Sequence, residues 1–120
     1  MRVLLVDDHA LFRIGLRELL ERRGIEVVDA VGDCDDGLRL VEERQPDVVL
    51  LDMRMPQMSG IDMLKRLRSN RQMMPVAMLT TSREERDVLE SLQNGAQGYL
   101  LKDMEPDELI TALGDIVSGH

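Results

Sequence analysis

The segment VLLVDDH, residues 3–9, places four aliphatic residues directly before two adjacent carboxylates. An aliphatic run without polar alternation is typical of a strand that is buried on both faces of a parallel sheet. Side by side at the end of such a strand, the charges of Asp7 and Asp8 repel each other. The pair is either part of a solvated loop or helix cap, or it serves a ligand, and the rest of the chain decides between these interpretations.

Short aliphatic runs and helical patterns alternate along the whole chain. The predicted strands cover residues 3–6, 27–31, 48–51, 76–79 and 98–101. Between and after them, apolar residues recur at the spacing that buries one face of a helix. These residues are Phe12, Leu16, Leu19 and Leu20; Leu38 and Val41; Ile61, Leu64 and Leu67; Val88, Leu89 and Leu92; and Leu109, Ile110, Leu113, Ile116 and Val117. The alternation predicts five parallel strands with helices on both faces of the sheet.

Local signals mark the beginnings of three helices. The segment from Ser82 to Glu85 has the spacing of a capping box, with Ser82 as the helix cap. Ser59 is a second candidate cap, and Pro106 suits the first turn of the last helix.

Size and composition restrict the possible functions. The chain has 120 residues and a net charge of −8, which fits one domain and argues against direct binding to nucleic acid. Its single Cys34 cannot form an internal disulfide. No apolar run approaches the length of about 20 residues that crosses a membrane, and the N-terminus lacks a signal-peptide pattern. We therefore expect a cytoplasmic protein.

Polar residues follow four of the five predicted strands, where ligands bind in open parallel sheets. They are Asp7 and Asp8 after the first strand, Asp52 after the third, Thr80 and Thr81 after the fourth, and Lys102 after the fifth. Three carboxylates in one crevice favour a bound cation, and Mg²⁺ prefers such oxygen ligands. Hydroxyl and ammonium groups suit a phosphoryl group, and an aspartate can serve as a nucleophile.

Four motifs carry a resemblance to a known family over essentially the whole chain. They are LLVDDH at 4–9, VVLLDMRMPQMSG at 48–60, AMLTTS at 77–82 and GAQGYLLKD at 95–103. In order and spacing they resemble the receiver domain of two-component response regulators. The last motif, followed by MEPDEL at 104–109, is most similar to the nitrate/nitrite subfamily, whose members carry a LuxR-type helix-turn-helix output domain.

The resemblance implies a flavodoxin-like fold with strand order 2-1-3-4-5, and a receiver domain over residues 1–120 without the output domain. It implies a domain phosphorylated by a sensor histidine kinase in a Mg²⁺-dependent reaction. By family position, Asp52 is the phosphoacceptor, and Thr80 and Lys102 contact phosphoryl oxygens. Asp8 binds Mg²⁺ directly, Asp7 binds it largely through water, and the Arg54 backbone carbonyl is a further metal ligand. Tyr99 is the switch aromatic. Phosphorylation would alter the surface of the fourth helix, fifth strand and fifth helix, control the output domain and favour a homodimer.

Several of these residues have a simpler interpretation. Arg54 and Ser82 occupy positions that tune dephosphorylation in receivers, but they can equally be a solvated arginine and a helix cap. Tyr99 can be an ordinary half-buried aromatic with a hydrogen-bonded tip. Thr81 is the second choice for the role of Thr80, and His9 more simply begins the first helix than binds metal.

Two other classes of function compete with a receiver. An aspartyl-nucleophile phosphohydrolase would place Asp-x-Asp after the first strand, whereas Asp7 and Asp8 are adjacent. An interaction domain that works without phosphorylation would typically have lost an acidic residue or the lysine, and this chain retains all of them.

Overall fold

The computed structural model describes residues 1–119, which form five strands and five helices in strict alternation. These are β1 (Arg2–Val6), α1 (Ala10–Arg22), β2 (Glu26–Val31), α2 (Cys34–Arg44), β3 (Val48–Asp52), α3 (Gly60–Ser69), β4 (Val76–Thr80), α4 (Glu85–Gln93), β5 (Gly98–Leu101) and α5 (Pro106–Ser118). The strands are all parallel, in the order β2-β1-β3-β4-β5. The predicted flavodoxin-like fold is therefore confirmed. His120, at the end of the predicted domain, lies outside the described residues.

Alternating side chains of the central strands form two apolar layers. Leu4, Leu51 and Met78 pack on one face of the sheet, which α2 and α3 cover. Leu5 and Leu50 pack on the other face, which α1 and α5 cover. Burial on both faces explains why these strands read as continuous aliphatic runs. Within residues 1–119, no helix combines the length and the apolar character that crossing a membrane requires.

The apolar stripe predicted for α4 is wrong. Leu89 and Leu92 are 48% and 49% exposed, whereas Asp87 and Ser91 are buried. The inward face of α4 is closed by hydrogen bonds: the Ser91 hydroxyl donates to the Asp87 carbonyl at 2.8 Å, and the Ser82 hydroxyl donates to the Asp87 carboxylate at 2.6 Å. Because these polar groups are satisfied within the fold, they can be buried in place of leucines.

The capping box predicted at Ser82 is also wrong. The helix begins at Glu85, and Glu84 is its cap residue without a side-chain hydrogen bond. The Ser82 hydroxyl instead donates to Asp87, whose charge makes it a stronger acceptor than a neutral group. The other two boundary signals are confirmed, because the Ser59 side chain caps α3 and Pro106 lies in the first turn of α5.

Cys34 begins α2 as a packed thiol. Its side chain is buried, and its Sγ–H donates to the Met58 carbonyl at 3.3 Å. Burial, assisted by the charge of Asp33, raises the pKa of the Cys34 thiol to about 12. A thiol that stays protonated at neutral pH is a poor nucleophile and a poor metal ligand.

Candidate functional site

The polar residues predicted at the strand ends converge at the carboxyl edge of the sheet. Asp7 follows β1, Asp52 and Thr80 end β3 and β4, and Lys102 follows β5. The β3–β4 register aligns Asp52 with Leu79, and the β4–β5 register aligns Thr80 with Leu101. These pairings bring the ends of the strands level, so the sheet itself sets the spacing of the site. Asp7, Asp52 and Thr80 are nearly inaccessible to solvent, at 0%, 3% and 3% exposure.

Three carboxylates and one imidazole form a compact cluster. Ligand atoms of Asp7, Asp8, His9 and Asp52 all lie within 4.8 Å of one another. His9 is the cap residue that precedes α1, as its predicted place at the helix start required. Its Nδ1 also lies 3.1 Å from Asp7 Oδ1 and 3.5 Å from oxygens of Asp8 and Asp52. The structure therefore adds an imidazole, 62% exposed, to the predicted acidic group.

Lys102 supplies the positive charge of the cluster. Its Nζ lies 2.8 Å from Asp7 Oδ2 and 3.3 Å from Asp52 Oδ1. The ring of Phe12 lies 4.8 Å from the same nitrogen, a distance that favours a cation–π contact. His9 Nδ1 is 2.9 Å from it as well. One ammonium does not neutralise three carboxylates, so the site retains excess negative charge.

Burial and the neighbouring carboxyl groups raise the pKa of Asp52 to about 6. Burial is the largest cause, and the charge of Asp7 and the adjacent Asp8 carboxyl act in the same direction. Lys102 acts against them by favouring the ionised form. The Asp52 carboxyl therefore loses its proton near pH 6. A further cation beside it would favour the ionised form.

The donor set fits a hard divalent cation. Asp8 Oδ1 and Asp52 Oδ2 are buried, and neither has a hydrogen-bond partner in the described part of the chain. Buried oxygen atoms without partners are energetically unfavourable unless a ligand or ion satisfies them. Oxygen ligands from one or two carboxylates, with water completing the shell, are what Mg²⁺ takes in phosphate sites.

The remaining predicted residues lie in the loops around this cluster. The hydroxyl oxygen of Thr80 accepts the Ser82 backbone N–H at 3.0 Å, while Thr81 is exposed. The Arg54 side chain is 70% exposed, and its Nη2 donates to Asp87 Oδ2 at 3.1 Å. Arg54 is therefore largely exposed but paired with a carboxylate, and both interpretations of this residue stay open.

Tyr99 is half-buried, and its hydroxyl donates to the Ser82 carbonyl at 2.9 Å. This bond supplies the hydrogen-bonded tip that both interpretations of Tyr99 required. It also joins β5 to the loop that carries Ser82, two residues beyond Thr80.

Two site features were not predicted. Asp87 binds Arg54 and Ser82 together, but the sequence offered no local signal for it because the α4 pattern favoured burial of the leucines. Gly60 packs so closely that a Cβ there would overlap the Asp52 carbonyl oxygen. Gly60 ends the motif at residues 48–60, but a close approach between two backbone segments leaves no other signal in a single sequence.

A doubly wound sheet with three carboxylates, a threonine and a lysine at its carboxyl edge defines a class, the CheY-like signal receivers. The family model of the response regulator receiver domain matches residues 3–114, so the chain belongs to that family. Receivers of this family are signalling phosphoacceptors rather than classical enzymes.

Curated relatives place the chain near the nitrate regulators. It is 39% identical over 119 residues to the nitrate/nitrite response regulator protein NarL of Escherichia coli, covering 98% of this chain and 55% of that protein. It is 42% identical over 113 residues to NarP of the same organism, covering 93% and 53%. The chain therefore spans about half the length of the curated relatives that it matches.

Solved structures agree with this placement. A signal receiver domain from Mycobacterium tuberculosis has a TM-score of 0.93 and 38% identity, covering 99% of this chain and 97% of that one. The chemotaxis protein CheY4 of Vibrio cholerae has a TM-score of 0.90 and 31% identity, covering 96% and 97%. The predicted resemblance to response regulators related to NarL is confirmed.

Proposed function

We propose that this domain accepts a phosphoryl group on Asp52 from the phosphohistidine of a partner sensor histidine kinase, in a Mg²⁺-dependent reaction in the cytoplasm. One observation carries the proposal. The Asp52 carboxylate is buried at the carboxyl edge of the sheet, one oxygen lies 3.3 Å from Lys102, and the other has no hydrogen-bond partner among the described residues. A buried carboxylate with a lysine beside one oxygen and no hydrogen bond to the other is suited to act as a nucleophile.

The transfer follows from the charges around that carboxylate. One oxygen of the Asp52 carboxylate forms the new P–O bond, and the P–N bond to the kinase histidine breaks, leaving the electron pair on the imidazole nitrogen. Lys102 offsets negative charge on one phosphoryl oxygen, and the Thr80 hydroxyl donates to another. Thr80 has a proton to donate because, among residues 1–119, its hydroxyl oxygen is bonded only as an acceptor for the Ser82 N–H.

Asp8 and Asp52 would hold Mg²⁺ directly, with Asp7 bound largely through water and the Arg54 backbone carbonyl as a further ligand. The bound ion supplies charge neutralisation for the transferring phosphoryl group. Asp7 is suited to an indirect role because Lys102 already lies 2.8 Å from one of its oxygens and the His9 N–H donates to the other at 2.8 Å. The same residues support phosphorylation by small phosphodonors and the later hydrolysis of the acyl phosphate.

The output surface consists of α4, β5 and α5, and Tyr99 lies at its centre. Movement of Thr80 toward the phosphoryl group would release the Ser82 backbone, whose carbonyl holds the Tyr99 hydroxyl. A local change at the phosphate would thereby shift a two-state surface. In the full-length protein this surface controls a DNA-binding output domain and favours a homodimer, while the acidic receiver segment makes no contact with DNA.

Incubation with acetyl phosphate and Mg²⁺, followed by intact-mass measurement, tests the proposal. We expect the wild-type protein to gain one phosphoryl group, and a chelator to prevent the gain. A wild-type protein that gains no phosphoryl group from acetyl phosphate or from any histidine kinase would contradict the proposal.

A further inference from the structure

Helix α4 carries a buried carboxylate that the proposed transfer does not use. Asp87 lies in the first turn of α4, and its side chain is only 12% exposed. Its Oδ2 accepts the Ser82 hydroxyl at 2.6 Å and the Arg54 guanidinium at 3.1 Å. Two donors from two different loops therefore converge on one oxygen.

Both donors belong to loops that flank Asp52. Arg54 is two residues beyond Asp52 and lines the same cavity as Asp52, Thr80 and Lys102. Ser82 is two residues beyond Thr80, and its N–H donates to the Thr80 hydroxyl. Asp87 thus connects the β3–α3 loop, which carries Arg54, with the β4–α4 loop, which carries Ser82.

The Asp87 carboxylate lies 3.1 Å from the Arg54 guanidinium, so it competes with other anions for that cation. Among residues 1–119, Asp87 is the one acidic partner of Arg54. An arginine that lines a phosphate pocket would otherwise pair with the phosphoryl group, because guanidinium binds phosphate oxygens in a bidentate manner.

We propose that Asp87 is a positioning residue that holds Arg54 and Ser82 away from the phosphoryl group and so keeps the acyl phosphate short-lived. This inference rests on the proposed phosphorylation of Asp52. With the Asp87 carboxylate present, Arg54 pairs with Asp87 rather than with the phosphoryl group. Without it, Arg54 is free to cover the phosphoryl group, stabilise its charge and obstruct the attacking water.

The test measures the half-life of the phosphorylated protein by intact mass after acetyl phosphate is removed. Asp87→Asn keeps the shape and the hydrogen-bonding oxygen but removes the charge. We expect it to lengthen the half-life by roughly threefold or more, the scale of coupling between residues in contact. Glu90→Gln, which removes an exposed charge one turn along α4, is the matched control and should leave the half-life at the wild-type value.

An Arg54→Ala background separates positioning from a structural effect. There, Asp87→Asn should leave the half-life unchanged, since the arginine that it releases is missing. A half-life that is unchanged or shortened in Asp87→Asn alone, or lengthened equally with and without Arg54, would overturn the inference.

The two proposals fail in distinguishable ways. A wild-type protein that forms no adduct overturns both, whereas adducts with equal half-lives in wild type and Asp87→Asn overturn only the role of Asp87. If Asp87→Asn does not fold, as judged by circular dichroism, Asp87→Ser takes its place, because it keeps a hydroxyl acceptor without the charge, and the same outcomes decide.

Discussion

The Lys102 ammonium nitrogen lies 3.3 Å from Oδ1 of Asp52 and yet does not keep the pKa of that carboxyl low. Burial and the neighbouring Asp7 outweigh the lysine and raise the pKa to about 6. Lys102 is shared, since it lies closer to Asp7, at 2.8 Å. The site without a bound cation is therefore destabilised by its own negative charge.

Replacement of Asp52 by Asn should stabilise the Mg²⁺-free protein at pH 7.5. The folded protein retains the Asp52 proton up to about pH 6, whereas the unfolded chain loses it near 3.8. The free energy of unfolding contributed by Asp52 therefore falls as pH rises from about 4 to about 6, and is then constant. We expect Asp52→Asn to raise Tm by roughly 4 °C at pH 7.5, with a smaller gain at pH 4.5.

Thermal melts of Asp52→Asn at the two pH values measure this difference, and Glu90→Gln serves as a control for the loss of one exposed acidic charge. An equal gain in Tm at both pH values, or a lower Tm at pH 7.5, would show that ionisation of the buried Asp52 does not destabilise the folded protein.

Millimolar Mg²⁺ should raise the Tm of the wild-type protein. A ligand that binds only the folded state stabilises it increasingly with concentration, and Asp8 Oδ1 and Asp52 Oδ2 are free to bind an ion. Thermal melts across a Mg²⁺ series, compared with NaCl at the same ionic strength, separate binding from screening. The cation site would be disproved by an equal effect of NaCl, or by an undiminished Mg²⁺ effect in Asp8→Asn.

Gly60 should be intolerant of a methyl group, whereas Gly15 should accept one. A Cβ at Gly60 would overlap the Asp52 carbonyl oxygen, while Gly15 in α1 has no neighbouring atom within 4 Å. We expect Gly60→Ala to lower the free energy of unfolding by about 1–3 kcal/mol. Gly15→Ala should raise it by about 0.5–1 kcal/mol, because alanine favours a helix. Urea unfolding of both variants measures the two changes in the free energy of unfolding. Equal effects would argue against close packing of Gly60 on the Asp52 backbone.

Much of the fold could be predicted because its signals are local. The buried strands are continuous aliphatic runs. Because the strands are parallel, the residues at their carboxyl ends lie at one edge of the sheet. Helix α4 shows where that reasoning failed. The spacing of Leu89 and Leu92 suggested burial, but the hydrogen bonds of Asp87 and Ser91 take the inner face. Such bonds join residues of different elements, and a single sequence does not encode their partners in any local pattern.

The clustering of these polar residues could be predicted more completely than their surroundings. Asp7, Asp8, Asp52, Thr80 and Lys102 end or follow parallel strands, so topology alone brings them together. Their supporting contacts depend on side-chain geometry within the loops, and these contacts include His9 Nδ1, 3.1 Å from Asp7.

Tyrosine emission should report the switch without any label. Tyr99 is the only tyrosine and the chain has no tryptophan, so intrinsic emission arises from one residue. Its hydroxyl bonds to the Ser82 carbonyl, and Ser82 in turn bonds to Thr80. We expect acetyl phosphate with Mg²⁺ to change the emission of the wild-type protein. Thr80→Val, which keeps the shape but lacks the hydroxyl, should show no change although it is phosphorylated. An identical change in Thr80→Val would remove Thr80 from the switch.

The central claim is that Asp52 is the phosphoacceptor, and chemical mapping tests it most directly. The protein is phosphorylated with acetyl phosphate and Mg²⁺, and hydroxylamine then converts the acyl phosphate to a stable hydroxamate that peptide mass spectrometry can locate. We predict the hydroxamate on Asp52, and none in Asp52→Asn. A hydroxamate on Asp7 or Asp8, or one that persists in Asp52→Asn, would contradict the assignment.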